Sequence, residues 1–481
     1  MHFSVISRVT GILLTIFSLA LFTPAMVALI YNESTVDAFF TASLITLASG
    51  LALAIPKRKV RDLRSRDGFL ITVFFYAGLG LFGALPFLMI DSLNILWTDA
   101  AFESYSAITT TGATILTGLD ELPRSLLFYR HLLQWLGGMG IIVLAVAILP
   151  MLGIGGLQLY RAEAPGAVKD TKLTPRITET AKALWYIYLG LTIACATAYH
   201  MAGMGLFDAI CHSFSTVAIG GFSTHDASLG YFNSQGIETV AMVFMLISGI
   251  NFGLHFTVFS RRNPLLYFKD IETRLYLTVL ASVGVMICLI LIQYPIPSES
   301  PIREGLFHTI SIATTTGYTT TGFSGWPASA AIILLFAAFA GGCAGSTAGG
   351  IKMIRVRLLS SQGMREIRRL IHPHGVFPIK LGGQRVPDRV VEAAFGFFAA
   401  YVLIFLVMVA ALMAISDLNF ITAFSAVGAC INNLGPGLGE VAANYASLSN
   451  PVKTVLILAM VLGRLEIFTL LVLLTPTFWK R

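Results

Sequence analysis

Apolar residues run along this chain in long unbroken stretches, not in short alternation. Two such stretches, 10–31 and 36–56, come first, joined by a polar turn at Asn32–Thr35. A three-part unit then recurs four times. Each unit has a long apolar helix, a middle segment in which a short stretch of about 12–15 residues leads into a small-residue turn, and a second long helix. The units read 67–91, 97–116 and 124–150; then 178–203, 206–223 and 234–260; then 272–293, 301–323 and 326–361; then 387–416, 418–439 and 450–476. The middle segments are too short to cross a hydrocarbon layer about 30 Å thick, so they enter and return on one side. The pattern predicts an all-α polytopic membrane protein with ten spans. Four non-identical helix–pore-loop–helix repeats follow two N-terminal transmembrane helices. The corresponding divisions are 1–66, 67–177, 178–271, 272–386 and 387–481.

Composition supports this reading. Of the 481 residues, 56% are hydrophobic and 12% charged, about half the charged share of a soluble domain. That excludes a soluble globular enzyme and a disordered chain. Long apolar runs favour helices over a barrel. The stretch from Gly11 to Ile30 is too long for a signal-peptide core and is kept as a span. Cys195, Cys211, Cys288, Cys343 and Cys430 form no metal or disulfide pattern and read as buried small side chains.

The net charge of +7 is read as topology. With both termini inside, 27 of the 32 Lys and Arg fall in inward segments, as expected of cytoplasmic loops. The outward segments, on which all four short segments open, hold 14 acids against 4 bases, a mouth that attracts cations.

The four turns read Thr109-Thr110-Thr111-Gly112, Ala218-Ile219-Gly220-Gly221, Thr314-Thr315-Thr316-Gly317 and Asn432-Asn433-Leu434-Gly435. Ser106, Ser215 and Ser311 stand six residues before their glycines. The fourth turn has its nearest serine, Ser425, ten before Gly435, and its register is open. A short helix entering from outside points its partially negative C-terminal end at the membrane centre. Glycine then permits a backbone that aims carbonyls at a common axis. Rings of carbonyl oxygens are chemistry for a large monovalent cation. The turns contain no carboxylate ring, which argues against a divalent ion. His212 and His308 read as packing or capping residues, and His372-Pro-His374 is a weak metal pair.

Two further features need explanation. A continuous helix over 326–361 would be about 52 Å long, more than a bilayer core needs. Its middle holds Gly341, Gly342, Gly345, Ser346, Thr347, Gly349 and Gly350, followed by Lys352. This is either a broken helix with a flexible loop over 341–350 crossing beneath the turns, or a close-packing face of small residues. Arg464 falls near the bilayer middle, where a charge is costly. It either faces the cavity below the turns, repelling a cation or holding the loop, or is buried against carbonyls. Glu466, two positions on, points elsewhere and is a poor partner for it.

These residues resemble the membrane subunits of the Trk potassium-uptake family, within the Trk/Ktr/HKT superfamily. The likeness is carried by Gln134-Trp-Leu-Gly-Gly-Met-Gly140, by 341–352, by Asn432-Asn-Leu-Gly-Pro-Gly437 and by Gly463-Arg-Leu-Glu466. It implies a potassium-channel-like fold in one chain, with a selectivity filter holding potassium at Thr110, Thr111, Gly112, Ile219, Gly220, Gly221, Thr315, Thr316, Gly317, Asn433, Leu434 and Gly435. A serine at the first filter glycine goes with sodium permeation in that family, so Gly112 favours potassium. The resemblance turns the loop and Arg464 into gate candidates. It further implies a homodimer in the inner membrane of a bacterium and a separate nucleotide-binding cytosolic regulatory subunit resembling TrkA. The basic stretch 352–389 is a candidate docking surface, and 57–66 reads as a topology signal facing anionic lipid. No organic cofactor, nucleic-acid partner or enzymatic constellation is expected. A secondary symporter coupling potassium to protons or sodium is the alternative, although such folds usually have inverted repeats and these are parallel.

Overall fold

A backbone surrounded by lipid must satisfy its own hydrogen bonds, so long apolar runs become helices. The computed structural model describes residues 3–55, 65–143, 173–294 and 300–480. Six helices are long and apolar enough to cross a membrane: Ile6–Tyr31, Val36–Ala54, Asp67–Met89, Ala181–Met201, Ile271–Gln293 and Asp388–Ile415. Two further pairs qualify only as bent spans.

Those pairs correct the expectation of straight second helices over 234–260 and 450–476. Gln235–Ser248 and Phe252–Arg261 meet at 92°, and Asn450–Arg464 and Phe468–Leu474 at 112°. At the first break Asn251 caps the new helix, its Oδ1 accepting from Gly253 N at 2.7 Å. At the second, Glu466 takes a left-handed φ of 52°. The reading of 326–361 as a broken helix matches the structure: Ala328–Ala340 ends at Gly341 and Met353–Ile371 begins anew. The segment 380–385 forms a small antiparallel hairpin that the apolar pattern did not suggest. The end of the predicted 124–150 helix lies outside the described residues, which stop there at Val143.

Four short helices carry the middle segments: α1 (Trp97–Ile108), α2 (Leu206–Val217), α3 (Pro301–Ala313) and α4 (Phe420–Asn432). Their starts are written locally. Asp99, Asp208 and Glu304 sit in first turns, where acids complement the helix dipole. Pro301 occupies the first position of α3, where its missing N–H is harmless. Asn419 caps α4, accepting from Thr422 N at 2.8 Å.

The largest apolar core runs from Leu14, Phe17 and Phe39 of the N-terminal helices through Phe102 and Tyr129 to Tyr401, Phe405, Val427 and Leu456 of the last unit. The first and fourth units thus share one core. Lys453 Nζ reinforces this junction at 2.6 Å from Asp99 Oδ1. Arg303 and Glu238 join the second and third units through two bonds of 2.6 Å.

Candidate functional site

Each short helix ends in the same way. The residue before the glycine donates its N–H to the carbonyl five residues back: Thr111 to Ser106, Gly220 to Ser215, Thr316 to Ser311 and Leu434 to Ala429, all at 2.8 Å. The residue before that donates to the carbonyl three back: Thr110 to Ala107, Ile219 to Thr216, Thr315 to Ile312 and Asn433 to Cys430, at 2.9–3.2 Å. This pair of bonds is the Schellman termination, which requires a left-handed residue just past the helix. Thr110, Ile219, Thr315 and Asn433 accordingly have φ of 54°, 55°, 67° and 55°. Only Asn433 suits that conformation. For the other three, all β-branched, the cost is on the order of 1–2 kcal/mol each. The fourth turn's register is therefore settled: Ala429, not Ser425, occupies the place of the serines.

Two residues further on, Gly112, Gly221, Gly317 and Gly435 are also left-handed, at 79°, 75°, 86° and 93°. A methyl group at Gly112 would overlap Gly220 O, at Gly221 Thr316 O, and at Gly317 Leu434 O, and at Gly435 it would press on Thr111 O. Each turn thus abuts the next, and the fourth returns to the first. The turns close a ring in chain order. All four glycines line one cavity of about 360 Å³, together with Thr114, Ser223, Asp226 and Tyr445.

Side chains behind the ring pin its carbonyls. Gln134 Nε2 donates to Gly220 O at 2.7 Å, and its Oε1 accepts from Phe222 N at 3.2 Å. Tyr445 OH donates to Gly435 O at 2.7 Å. Each of these carbonyls keeps a second lone pair. Thr109 and Thr111 share a hydroxyl bond of 2.8 Å, repeated between Thr314 and Thr316. Asn433 Nδ2 reaches Thr111 Oγ1 at 3.0 Å and Met460 O at 2.9 Å. His212 and His308 pack in equivalent ways, with Nδ1 donating to Asp208 O and to Glu304 O at 2.9 Å. Among the described residues no group of three His, Cys, Asp or Glu could hold a metal ion.

On the other side of the ring lies the loop 341–352. Thr347 Oγ1 donates to Val217 O, the last residue of α2, at 3.0 Å and to Ser248 O at 3.3 Å. Gly349 N donates to Thr315 Oγ1 at 2.7 Å. A methyl at Gly349 would overlap Asn432 O, so only glycine permits this approach. Arg464 is fully buried; Nη1 donates to Thr347 O at 3.1 Å and Nη2 to Gly137 O at 3.0 Å. Its partners are carbonyls, as one reading held, but one carbonyl belongs to the loop, as the other held. Lys352 Nζ folds back onto Ala348 O, and Ser346 Oγ onto Cys343 O at 2.6 Å. Gly341, Gly345 and Gly350 have φ of 66°, 73° and 76°, and Gly342 lies against Ala348. Glu466 pairs with Arg355 at 2.5 Å and not with Arg464. The space under the ring, lined by Gly349, Lys352, Asn433 and Arg464, is about 20 Å³, enough for roughly one water.

Three contributors were not predicted as site residues. Gln134 acts across repeats, and Tyr445 bonds the turn of its own repeat. Glu272 Oε1 accepts from both Ala344 N (2.7 Å) and Ile354 N (3.1 Å), tying the two ends of the loop together.

Bundled apolar helices around four short half-helices define a multi-pass membrane protein. The family model for TrkH cation transport proteins matches residues 35–481, and the chain belongs to that family. It is similar to the Trk system potassium uptake protein TrkH of Vibrio parahaemolyticus, with 56% identity covering all of both chains. It is 53% identical to TrkH of Escherichia coli, again over all of both chains. Identity to TrkG of Escherichia coli is 41%, covering 100% of this chain and 99% of that one. The crystal structure of the potassium transporter TrkH from Vibrio parahaemolyticus superimposes with a TM-score of 0.93 at 53% identity, covering all of both chains.

Proposed function

We propose that the chain takes up potassium across the cell membrane through a channel-like pore whose selectivity filter is the ring around Gly112, Gly221, Gly317 and Gly435. The observation that carries this is the fourfold repetition of one termination, with the same bonds and the same pair of left-handed residues each time. A termination repeated four times, strained at Thr110, Ile219 and Thr315 and closed into a ring, is the mark of a backbone held for function. In this reading the carbonyls replace the hydration shell of the ion. The helix C-termini add a favourable field.

The loop 341–352 is the proposed gate. It lies against α2, α4 and the third turn, and Arg464 and Glu272 hold it from two sides. The pore opens when the loop leaves, and a cytosolic nucleotide-binding subunit docked near 352–389 controls that step. The protein works as a homodimer in a bacterial inner membrane with both termini cytoplasmic, and repeats 67–177, 178–271, 272–386 and 387–481 each supply a quarter of the pore. Potassium is cargo.

The experiment is rubidium uptake into vesicles containing the purified protein, with potassium, sodium and lithium as competitors. Potassium should compete at concentrations well below sodium and lithium, and Gly112→Ser should narrow that gap. Equal competition by all three ions in the unmodified protein would refute the filter.

A further inference from the structure

We infer that the buried pair Glu103–Arg130 is a specificity-determining strut at the outer rim, setting both the spacing of the first two turns and the charge that an entering cation meets. Both side chains are completely buried. Arg130 Nε donates to Glu103 Oε1 at 2.7 Å, Nη2 to Thr114 Oγ1 at 3.0 Å and Nη1 to Ser223 O at 3.3 Å. Thr114 and Ser223 each stand two residues past their glycine, Gly112 and Gly221. One guanidinium therefore grips two neighbouring turns at the same level. Its Cζ also lies over the Phe222 ring, 4.1 Å from the centre. Glu103 closes the network by accepting from Thr114 Oγ1 and from Ile115 N, each at 3.0 Å.

Among the described residues, no guanidinium bridges two turns in the other quarters. Thr319, at the matching level of the third turn, is met by Ser228 Oγ and Gly230 N. Gly437, in the fourth, donates to Val441 O. Both sets are neutral. A buried ion pair is weak evidence for stability, because apolar or neutral groups would serve as well. This one carries a second consequence. Arg130 lines the cavity that all four glycines share. Unpaired, it would place a positive charge beside the path of a cation, and Glu103 cancels it. A unit charge about 10 Å away, at an effective dielectric of about 20, changes local cation occupancy on the order of tenfold.

The strut rests on the filter reading, and its test separates the two. Rubidium uptake is measured against external rubidium and against sodium competition, at matched amounts of folded protein. Glu103→Gln keeps an acceptor but uncovers the charge, and KM for rubidium should rise roughly tenfold. Glu103→Gln with Arg130→Gln restores neutrality but removes the fork. KM should return to within about threefold, while discrimination against sodium falls severalfold. Arg130→Lys keeps the charge without the fork, so its KM should match the unmodified protein while discrimination still falls. A purely structural pair would lower the folded yield or the maximal rate and leave KM and discrimination unchanged in all three, which overturns the inference. Gly112→Ser is the control. If it alters discrimination and the three pair variants do not, only the strut is lost. If Gly112→Ser also changes nothing, the filter reading fails and takes the strut with it.

Discussion

Thr347→Val tests the proposed gate with almost no change of shape. Valine keeps both branches at Cβ and removes only the hydroxyl, which in the seated loop donates to Val217 O at 3.0 Å and Ser248 O at 3.3 Å. One good and one marginal bond to buried carbonyls are worth about 1–2 kcal/mol together. With the loop released, that hydroxyl finds water instead, so the loss falls on the closed state. The equilibrium then moves toward the released loop by roughly fivefold to thirtyfold. Arg464 still donates to the carbonyl of Thr347, which the substitution does not touch. Rubidium uptake into vesicles, without any partner subunit and at equal protein, should rise by that factor. Thr347→Ser, which restores the donor, should fall back toward the unmodified protein. Sodium discrimination should stay constant, because no filter residue loses a bond. Uptake by Thr347→Val within twofold of the unmodified protein would refute the reasoning.

Three further outcomes are expected. Glu272→Ala leaves Ala344 N and Ile354 N without their shared acceptor and should raise partner-independent uptake severalfold; Glu272→Gln, whose amide oxygen can accept both, should not. Gly317→Ala would force a methyl onto Leu434 O at a φ of 86°, and vesicle uptake should drop more than tenfold without loss of folded protein in size-exclusion chromatography. In the loop after the second turn, burial pulls the His225 imidazole down, but the Asp208 carboxylate 3.7 Å from Nε2 and the hydrogen bond of Nδ1 with Asp120 outweigh that, and its pKa ends above the ordinary 6.5. A raised histidine stabilises the fold fully below its unfolded value and loses that contribution as pH climbs through the folded one. The melting-temperature advantage over His225→Gln should therefore be largest below about pH 6.5 and vanish in alkali.

The helical class and the four turns were legible because their signals are local: long apolar runs, and glycine after threonine at a fixed distance from serine. The fourth turn was read without its register because a serine marks that position in the other three, while all four turns set it through a backbone carbonyl, in the fourth that of Ala429. The breaks at 249–251 and 465–467 were missed because neither contains proline. At the first, Gly249 followed by Asn251 is a stop and a cap that the surrounding apolar residues concealed. For Arg464 the sequence offered the loop or buried carbonyls as alternatives, but not the particular partners, since Gly137 and Thr347 lie 327 and 117 residues away. The same holds for Arg130 and Glu103, an acid and a base 27 residues apart that sequence sorting placed simply among the outward charges.

A ring assembled from four identical chains must alter all its quarters together. Here each quarter has its own codons. In the proposed gate, the loop 341–352 follows a single helix, Ala328–Ala340, and lies against carbonyls contributed by two other repeats. Four copies of such a loop would compete for one place. On that proposal, fusion into one polypeptide makes room for a single loop, and it lets Ile219 and Asn433 differ in identity from Thr110 and Thr315.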